Sequence, residues 1–363
     1  MKQLFTMDIK DYGQGDGRRY RASARAVIRA ENGRIAMVYS RKYKYYKFPG
    51  GGIQADEKKE DALAREVHEE TGLIVKKDTI QEYGSVRRLQ KSSEIKNTVF
   101  VQENFYYICG AEMAVGEQRL DGYEQEAEFE LQYIYIEDAI KVNKLCAVQD
   151  AFTLVSVARD TAMLEILNGT IPNPSIPMAK FLLRTAAKSN PGPWEQHSRY
   201  VAESARKIAE HCPGMDGERA YVYGMLHDIG RKFGVSCLAH VYDGYHYLLG
   251  LGYGNAAGIA LSHSFNRKEI DDYIGEFNIT EDAQEEIRCL LKKVEFNDYD
   301  YLIQLCDSIA KADGIVSLEE RMTDVKNRYG HYPQEKWEKN VELKDYFEEK
   351  MGKNLYTVVD ASL

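Results

Sequence analysis

Ten residues near the middle of the chain, Asn168-Gly169-Thr170-Ile171-Pro172-Asn173-Pro174-Ser175-Ile176-Pro177, hold three prolines and a glycine and prohibit a continuous helix. The pattern differs on the two sides of this segment. Before it, Tyr20 to Val38 and Asn97 to Cys109 are rich in Val, Ile, Tyr and Phe and read as strands, with one charged helical segment between them. After it, apolar residues recur at helical spacing in Tyr200 to Ala209, Arg219 to Leu226, Gly254 to Leu261 and Tyr301 to Ala310. The chain of 363 residues is therefore expected to divide into a mixed α/β domain over 1–167, a linker over 168–177 and an all-α domain over 178–363.

Composition narrows the class. With 44% hydrophobic and 29% charged residues, collagen, mucin and extensive disorder are excluded. The net charge of −9 gives no global basic field for a nucleic-acid polymer. No run approaches the roughly 20 apolar residues of a membrane span, and Met1-Lys2-Gln3-Leu4 leads into charged residues without a signal-peptide core. No membrane partner and a cytoplasmic location are expected. The six cysteines stand singly, without a C-x-x-C pair, and read as reduced thiols. Seven of eight histidines follow residue 190, which assigns different chemistry to the two halves.

In the first half, Gly50-Gly51-Gly52-Ile53-Gln54-Ala55-Asp56-Glu57 precedes a helical run through Arg65-Glu66-Val67-His68-Glu69-Glu70, closed by Thr71-Gly72-Leu73. Asp56 is the expected N-cap and Gly72 the expected left-handed C-terminal residue. Glu66 lies three residues from Glu69 and four from Glu70, so the carboxylates converge on one side of the helix and repel one another. A divalent cation relieves that repulsion, and hard oxygen ligands suit Mg²⁺ or Mn²⁺ shared with substrate phosphates. An acidic helix taken alone is more often a solvated face.

The spacing decides against that reading. Gly51, five residues, Glu57, seven residues, then Arg65-Glu66-Val67-x-Glu69-Glu70-x-Gly72-Leu73 matches the nine fixed positions of the Nudix box, and the region from about 15 to 165 resembles Nudix hydrolases. The resemblance implies a sheet sandwiched by helices and cleavage of a nucleoside diphosphate linked to another moiety. It also implies that Glu66, Glu69 and Glu70 hold the metal, that Arg65 orients a glutamate and that Glu57 braces the loop against the helix. Glu69, Glu70 and Arg65 are the catalytic candidates. Glu124 and Glu126 offer a further carboxylate or are solvated loop acids. Tyr43, Tyr45 and Tyr46 either stack on a base or pack in the core.

In the second half His197 opens a helix, Leu226-His227-Asp228-Ile229-Gly230-Arg231-Lys232 follows, then His240, His246 and His263, and finally Asp307 among apolar neighbours that make it look internal. An isolated helical histidine is usually a satisfied core residue. The order His, His-Asp, two His, Asp resembles the HD phosphohydrolase superfamily from about 178 to 345, which implies an α-helical bundle. By that resemblance His197, His227, Asp228 and Asp307 form a primary metal site, His240 and His263 supply a second metal, and Asp228 bridges. Imidazole with carboxylate suits Fe, Mn, Co or Zn, one or two ions per site. Arg231 and Lys232 are candidates to stabilise phosphoryl oxygens, or a solvent-facing pair. His246, His211 and His331 are expected outside the ligand set, and the tail from Arg328 to Tyr356 reads as a cap helix without chemistry.

The expected protein is a bifunctional metal-dependent phosphohydrolase acting on a small nucleotide or related phosphorylated metabolite. The rival expectation is a sensor in which one domain binds a nucleotide without turnover and controls the other.

Overall fold

The computed structural model describes residues 1–113, 118–234 and 237–360. They form two compact units, one within 1–178 together with 250–252 and the other within 179–249 together with the described residues from 253 onward.

The first unit is built on strands β1 (Gln3–Asp8), β2 (Gly17–Arg29), β3 (Ile35–Ser40), β4 (Tyr45–Lys47), β5 (Gly50–Gly52), β6 (Leu73–Val75), β7 (Gln81–Lys91), β8 (Thr98–Cys109), β9 (Ala111–Met113) and β10 (Phe129–Ile134). Its helices are α1 (Lys59–Thr71), α2 (Gly122–Glu126), α3 (Ile136–Leu145) and α4 (Ala151–Leu167). The main sheet runs β1-β7-β8-β2-β3-β10, with β4 on β3 and β5 on β2, and β6 pairs with β9 separately. The pairs β1/β7 and β2/β8 are parallel. The Val/Ile/Tyr/Phe-rich run Tyr20 to Val38 thus folds into two antiparallel strands, β2 and β3.

Alternation along β2 sends successive side chains to opposite faces. Ala24, Ala26 and Ile28 meet Ala62, Leu63 and Val67 of α1, which places the acidic helix on one face. On the other face, Tyr45 and Phe129 pack with Cys146, which closes α3, and with Val157 of α4. The sheet is sandwiched by helices. Tyr45 and Tyr46 are only 4% and 5% exposed and belong to the core.

The second unit is helical: α5 (Ile176–Ser189), α6 (Trp194–His211), α7 (Gly217–Leu226), α8 (Ala239–Gly250), α9 (Gly254–Ser262), α10 (Glu281–Lys293), α11 (Asp298–Asp307), α12 (Leu318–Tyr329), α13 (Gln334–Met351) and α14 (Leu355–Val358). Helix α5 begins inside the proline-rich segment. Pro177 falls in its first turn, where a missing N–H has no intrahelical partner to lose, and the Ser175 hydroxyl accepts from the Met178 N–H. In α6, Val201, Ala202, Ala205, Ile208 and Ala209 are buried at helical spacing, and this stripe turns the helix so that His197 faces inward. Among the described residues, no helix is long and apolar enough to cross a membrane.

Candidate metal centres

The first candidate centre lies where α1 faces the β4–β5 segment. Helix α1 starts at Lys59 with Lys58 as N-cap, and Gly72 closes it in the left-handed conformation with its N–H on His68 O. Asp56 does not cap it. With φ 62° it occupies a turn two residues earlier, where the Gln54 N–H donates to Glu57 Oε2 at 2.9 Å.

Arg65 organises the acidic cluster. Its Nε and Nη2 donate to the two oxygens of Glu57 at 2.8 and 2.9 Å, its Nη1 to Glu66 Oε1 at 2.8 Å and Glu69 Oε2 at 3.0 Å, and its Nη2 also to Gly52 O at 3.0 Å. The Arg65 hydrogen bonds, with help from the Gln54 N–H, pull the Glu57 pKa down to about 2. Burial pushes the Glu66 carboxyl up. Gly51 leaves the space that Glu66 fills, since a Cβ there would lie 2.1 Å from Glu66 Oε2.

Glu70, 1% exposed, turns away from Arg65 to Lys47 Nζ and to the Gly50 N–H at 2.9 Å. The carboxylates expected to hold the metal in this half are Glu66, Glu69 and Glu70. Among the described residues they do not form a trio of ligand atoms within 4.8 Å, because Arg65 takes two of them and Lys47 the third. Glu124 is the N3 residue of a capping box with Asp121 in α2, and burial, then the Glu70 charge, raises its pKa to about 7. Glu126 is exposed and pairs with Lys42 at 2.7 Å. Five carboxylates, Glu57, Glu66, Glu69, Glu70 and Glu124, thus surround two cations, Arg65 and Lys47. An excess of hard anionic oxygen fits a divalent ion such as Mg²⁺.

The second candidate centre collects the six His and Asp residues into two trios, His197 with His227 and Asp307, and Asp228 with His240 and His263. In each trio the ligand atoms lie within 4.8 Å of one another. His197 Nε2 is 2.9 Å from Asp307 Oδ1, and His227 Nε2 is 3.9 Å from the same oxygen and 3.8 Å from Asp228 Oδ2. Asp228 Oδ1 faces the other trio, 3.1 Å from His240 Nε2 and 3.6 Å from His263 Nε2. One carboxylate thus borders both trios.

The backbone sets the histidine tautomers. His227, His240 and His263 each donate Nδ1–H to the carbonyl three residues earlier, those of Gly224, Cys237 and Ala260, at 2.7, 2.6 and 2.9 Å. A neutral ring so held presents the Nε2 lone pair inward. His227 Nε2 is buried without a hydrogen-bond partner among the described residues. Burial lowers the pKa of His227 and takes that of His263 down to about 3, and Asp307 is held ionised against its burial, first of all by the His197 hydrogen bond. Neutral imidazoles, carboxylates and an orphaned buried nitrogen fit bound divalent ions.

Close backbone approach fixes this geometry. A Cβ on Gly230 would lie 1.9 Å from His240 O, so only glycine lets the turn after Asp228 meet α8. Asp307 is not internal. Its side chain is 29% exposed, because it ends α11 at the mouth of a cavity of about 660 Å³ that His197, Asp228, His240 and His263 also line. Arg231 lines the cavity and donates to Asp228 Oδ2 at 2.6 Å. Lys232, adjacent in sequence, does not line it. The residue is buried with Nζ 5.7 Å from the Tyr247 ring centroid. His246 pairs with Glu286 at 3.2 Å, and His211 and His331 are exposed.

Comparison with known families agrees with this division. The profile of the NUDIX domain matches residues 19–154, and that of the HD domain matches residues 194–312. The chain is an N-terminal Nudix domain fused to a C-terminal HD domain. It is accordingly a hydrolase of phosphorus-containing compounds, of two families that depend on divalent metals and act on small phosphorylated substrates.

Solved structures similar to the Nudix domain include a MutT described from Aliivibrio salmonicida and Vibrio cholerae, at 18% identity and TM-score 0.24 over 33% of this chain and 83% of that one. A MutT NUDIX hydrolase from Burkholderia pseudomallei is 16% identical, with TM-score 0.27 over 38% of this chain and 96% of its own. A NUDIX hydrolase from Nitrosomonas europaea is 15% identical, with TM-score 0.28 over 39% and 89%. No curated protein matches the chain significantly.

Proposed function

We propose that the Nudix–HD chain is a bifunctional phosphohydrolase. In this reading the Nudix half, residues 1–167, cleaves a nucleoside diphosphate linked to another moiety. The HD half, residues 178–363, hydrolyses a phosphate ester or anhydride of a nucleotide or related metabolite, and the first half's product feeds the second. The observation that carries it is the presence in one chain of two chemically distinct donor sets, oxygen-only around Arg65 and imidazole-carboxylate around Asp228.

In the Nudix half Glu66, Glu69 and Glu70 would hold Mg²⁺ or Mn²⁺. In the HD half His197, His227, Asp307, Asp228, His240 and His263 would hold one or two ions of Fe, Mn, Co or Zn. Bound ions neutralise phosphoryl oxygens and lower the pKa of water. The chain's own residues do the rest. Arg65 orients Glu66 and Glu69 through a single guanidinium. Glu124, facing Glu70, is placed to accept a proton from water entering the cluster. Arg231 orients Asp228 and lines the cavity, where its positive charge favours phosphoryl oxygens.

A second reading has one observation in its favour. Glu66, Glu69 and Glu70 are each engaged by Arg65 or Lys47, an arrangement that suits a Nudix half that binds a nucleotide and regulates the HD half without cleaving it. Calorimetry with product analysis on Glu69→Gln, Glu70→Gln and Asp228→Asn forms of the full chain, against a nucleotide panel with Mg²⁺ and Mn²⁺, separates the two. In the bifunctional case each set of substitutions removes a different bond cleavage and spares nucleotide binding. Unchanged final products after Asp228→Asn sink the relay, and unchanged turnover after both glutamate substitutions sinks Nudix catalysis.

A further inference from the structure

The HD match ends at residue 312, yet the cavity that holds the His/Asp donors extends beyond it. Helix α12 and the turn into α13 contribute Arg321, Arg328, Tyr329 and Tyr332 to its wall. These residues follow the matched family core and touch none of the donor groups in hydrogen bonds.

Their charges are unbalanced. Arg321 and Arg328 share one carboxylate, Asp324, with Arg321 Nη1 3.4 Å from Oδ2 and Arg328 paired to the same oxygen. Arg321 Nε is buried with no hydrogen-bond partner among the described residues. Lys336, buried in the same lining, spends its Nζ on two carbonyls, Ser264 O at 2.7 Å and Asp272 O at 2.9 Å, and so brings its charge without a hydrogen-bonded carboxylate. Lys311 is paired with Glu320 at 3.1 Å, and Asp313 also lines the cavity. Apart from Arg231 and the donor residues, the lining thus holds four cations, Lys311, Arg321, Arg328 and Lys336, against two carboxylates, Asp313 and Asp324. Around the α12 arginines this leaves a local excess of positive charge, which favours an anionic group of a ligand.

The space is also too large for a phosphate alone. About 660 Å³ is in the range of a drug-sized ligand, and Tyr329, 45% exposed, offers a ring on the same wall as the two arginines.

We infer that α12 and the turn after it form the specificity wall of the HD site, which takes a nucleotide carrying a second phosphoryl group besides the scissile one. The scissile group lies at the His/Asp trios, the second meets Arg321 and Arg328, and the base lies against Tyr329. This rests on the HD half being a phosphohydrolase. The second group has two sources, the distal phosphate of a nucleoside diphosphate or a phosphate on the other ribose hydroxyl.

The test uses the full chain with Mn²⁺ and compares p-nitrophenyl phosphate, adenosine 5′-monophosphate, adenosine 5′-diphosphate and adenosine 3′,5′-bisphosphate in wild type, Arg321→Gln and Arg321→Lys. The wild type is expected to show at least a tenfold lower KM for one of the two-phosphate nucleotides than for the monophosphate, and which one identifies the source. Arg321→Gln is expected to erase that gain, Arg321→Lys to restore part of it, and p-nitrophenyl phosphate kcat/KM to stay within twofold in both. Equal losses on all four compounds, or no wild-type preference for either two-phosphate nucleotide, overturn the wall. If no ester is cleaved at all, the phosphohydrolase reading fails on its own. Calorimetry of adenosine 3′,5′-bisphosphate and adenosine 5′-diphosphate on chelator-treated protein then decides the wall, a tenfold weaker Kd in Arg321→Gln supporting it and equal Kd values for both proteins overturning it.

Discussion

His240 Nε2 stands 3.3 Å from His263 Nε2, and both rings have committed Nδ1–H to backbone carbonyls. In the neutral form both nitrogens point lone pairs at one another, with Asp228 Oδ1 3.1 and 3.6 Å away. Three acceptors facing without a hydrogen among them repel, and a cation turns that repulsion into binding. Protein purified without chelator is expected to carry transition metal by elemental analysis. His263→Gln is expected to lose the ion of that trio, with affinity at least about tenfold lower, since removing even a hydrogen-bond partner of a ligand costs about that much. Equal metal content in the two proteins would count against the trio as a site.

The same burial predicts a pH dependence for chelator-treated protein. His263 has its pKa lowered to about 3, and His227 is lowered too, so the folded state binds fewer protons than the unfolded chain below about pH 6.5. The stability these neutral rings contribute is fully present above that pH and is lost as the pH falls toward 3. Asp307, held ionised, adds a loss in the same direction below about pH 4. Both tryptophans, Trp194 and Trp337, lie in the second unit, so tryptophan fluorescence reads its unfolding selectively. The urea midpoint is expected to fall between pH 7 and 5, and His263→Gln to flatten the fall. A flat wild-type midpoint over that interval contradicts the neutral buried rings.

Gly51 tests the first centre from the backbone side. A Cβ at this position would lie 2.1 Å from Glu66 Oε2 and 2.5 Å from Glu66 Cδ, so Gly51→Ala must displace the carboxylate from Arg65. The clash meets the end of a flexible side chain, so the carboxylate swings aside at little cost to stability. Nudix turnover is expected to fall at least about a hundredfold, the order associated with losing a positioned catalytic group, with circular dichroism unchanged. HD turnover on p-nitrophenyl phosphate serves as the internal control and is expected to persist. Retained Nudix turnover in Gly51→Ala would remove Glu66 from the proposed chemistry.

What the sequence reveals depends on how local each signal is. The Nudix box is legible because its glycine, arginine and glutamates recur on one helix and its entry loop, and the ordered His and Asp residues are legible because each sits at a helix end or turn. Asp56 is misread because a left-handed turn residue and an N-cap share the same residue preferences. Arg231 and Lys232 cannot be separated by sequence, since a single turn of the short 229–233 helix decides which one faces the cavity. Lys47 is invisible as a partner of Glu70 because 23 residues separate them. Arg328 falls in the tail that reads as a cap helix without chemistry and Arg321 carries no local signal, because only the tertiary structure brings them to the wall of the cavity around the donors.

The least legible feature is a set of three arginines, Arg25, Arg88 and Arg159, buried in the first unit at 8%, 1% and 1% exposure. Their partners are scattered over the sheet and α4. Asp160 Oδ1 accepts from Arg159 Nε at 3.0 Å, Arg159 Nη2 at 2.9 Å and the Tyr106 hydroxyl at 3.0 Å. Arg159 Nη1 and Arg25 Nε both donate to Asn104 Oδ1 at 3.0 Å. Asp160 is the carboxylate hydrogen-bonded within this group, and the Arg25 pKa is pushed down by burial and then by Arg159. Removing one partner of a buried ion pair costs about 3–5 kcal/mol because the other charge stays uncompensated. Asp160→Asn keeps the shape and loses the charge, so it is expected to lower the first unit's unfolding free energy by about that amount. The midpoint followed by far-ultraviolet circular dichroism shifts, while the tryptophan transition of the second unit stays in place. Arg25 Nη1 lies 3.4 Å from both Phe48 O and Gly50 O, at the strand that leads into the Nudix box, so Nudix turnover should fall with stability. Adding Arg159→Met to Asp160→Asn removes the uncompensated charge and is expected to recover part of the loss. A double variant less stable than Asp160→Asn alone would show that Arg159 holds the sheet by its hydrogen bonds to Gln102 and Asn104 and not through the ion pair.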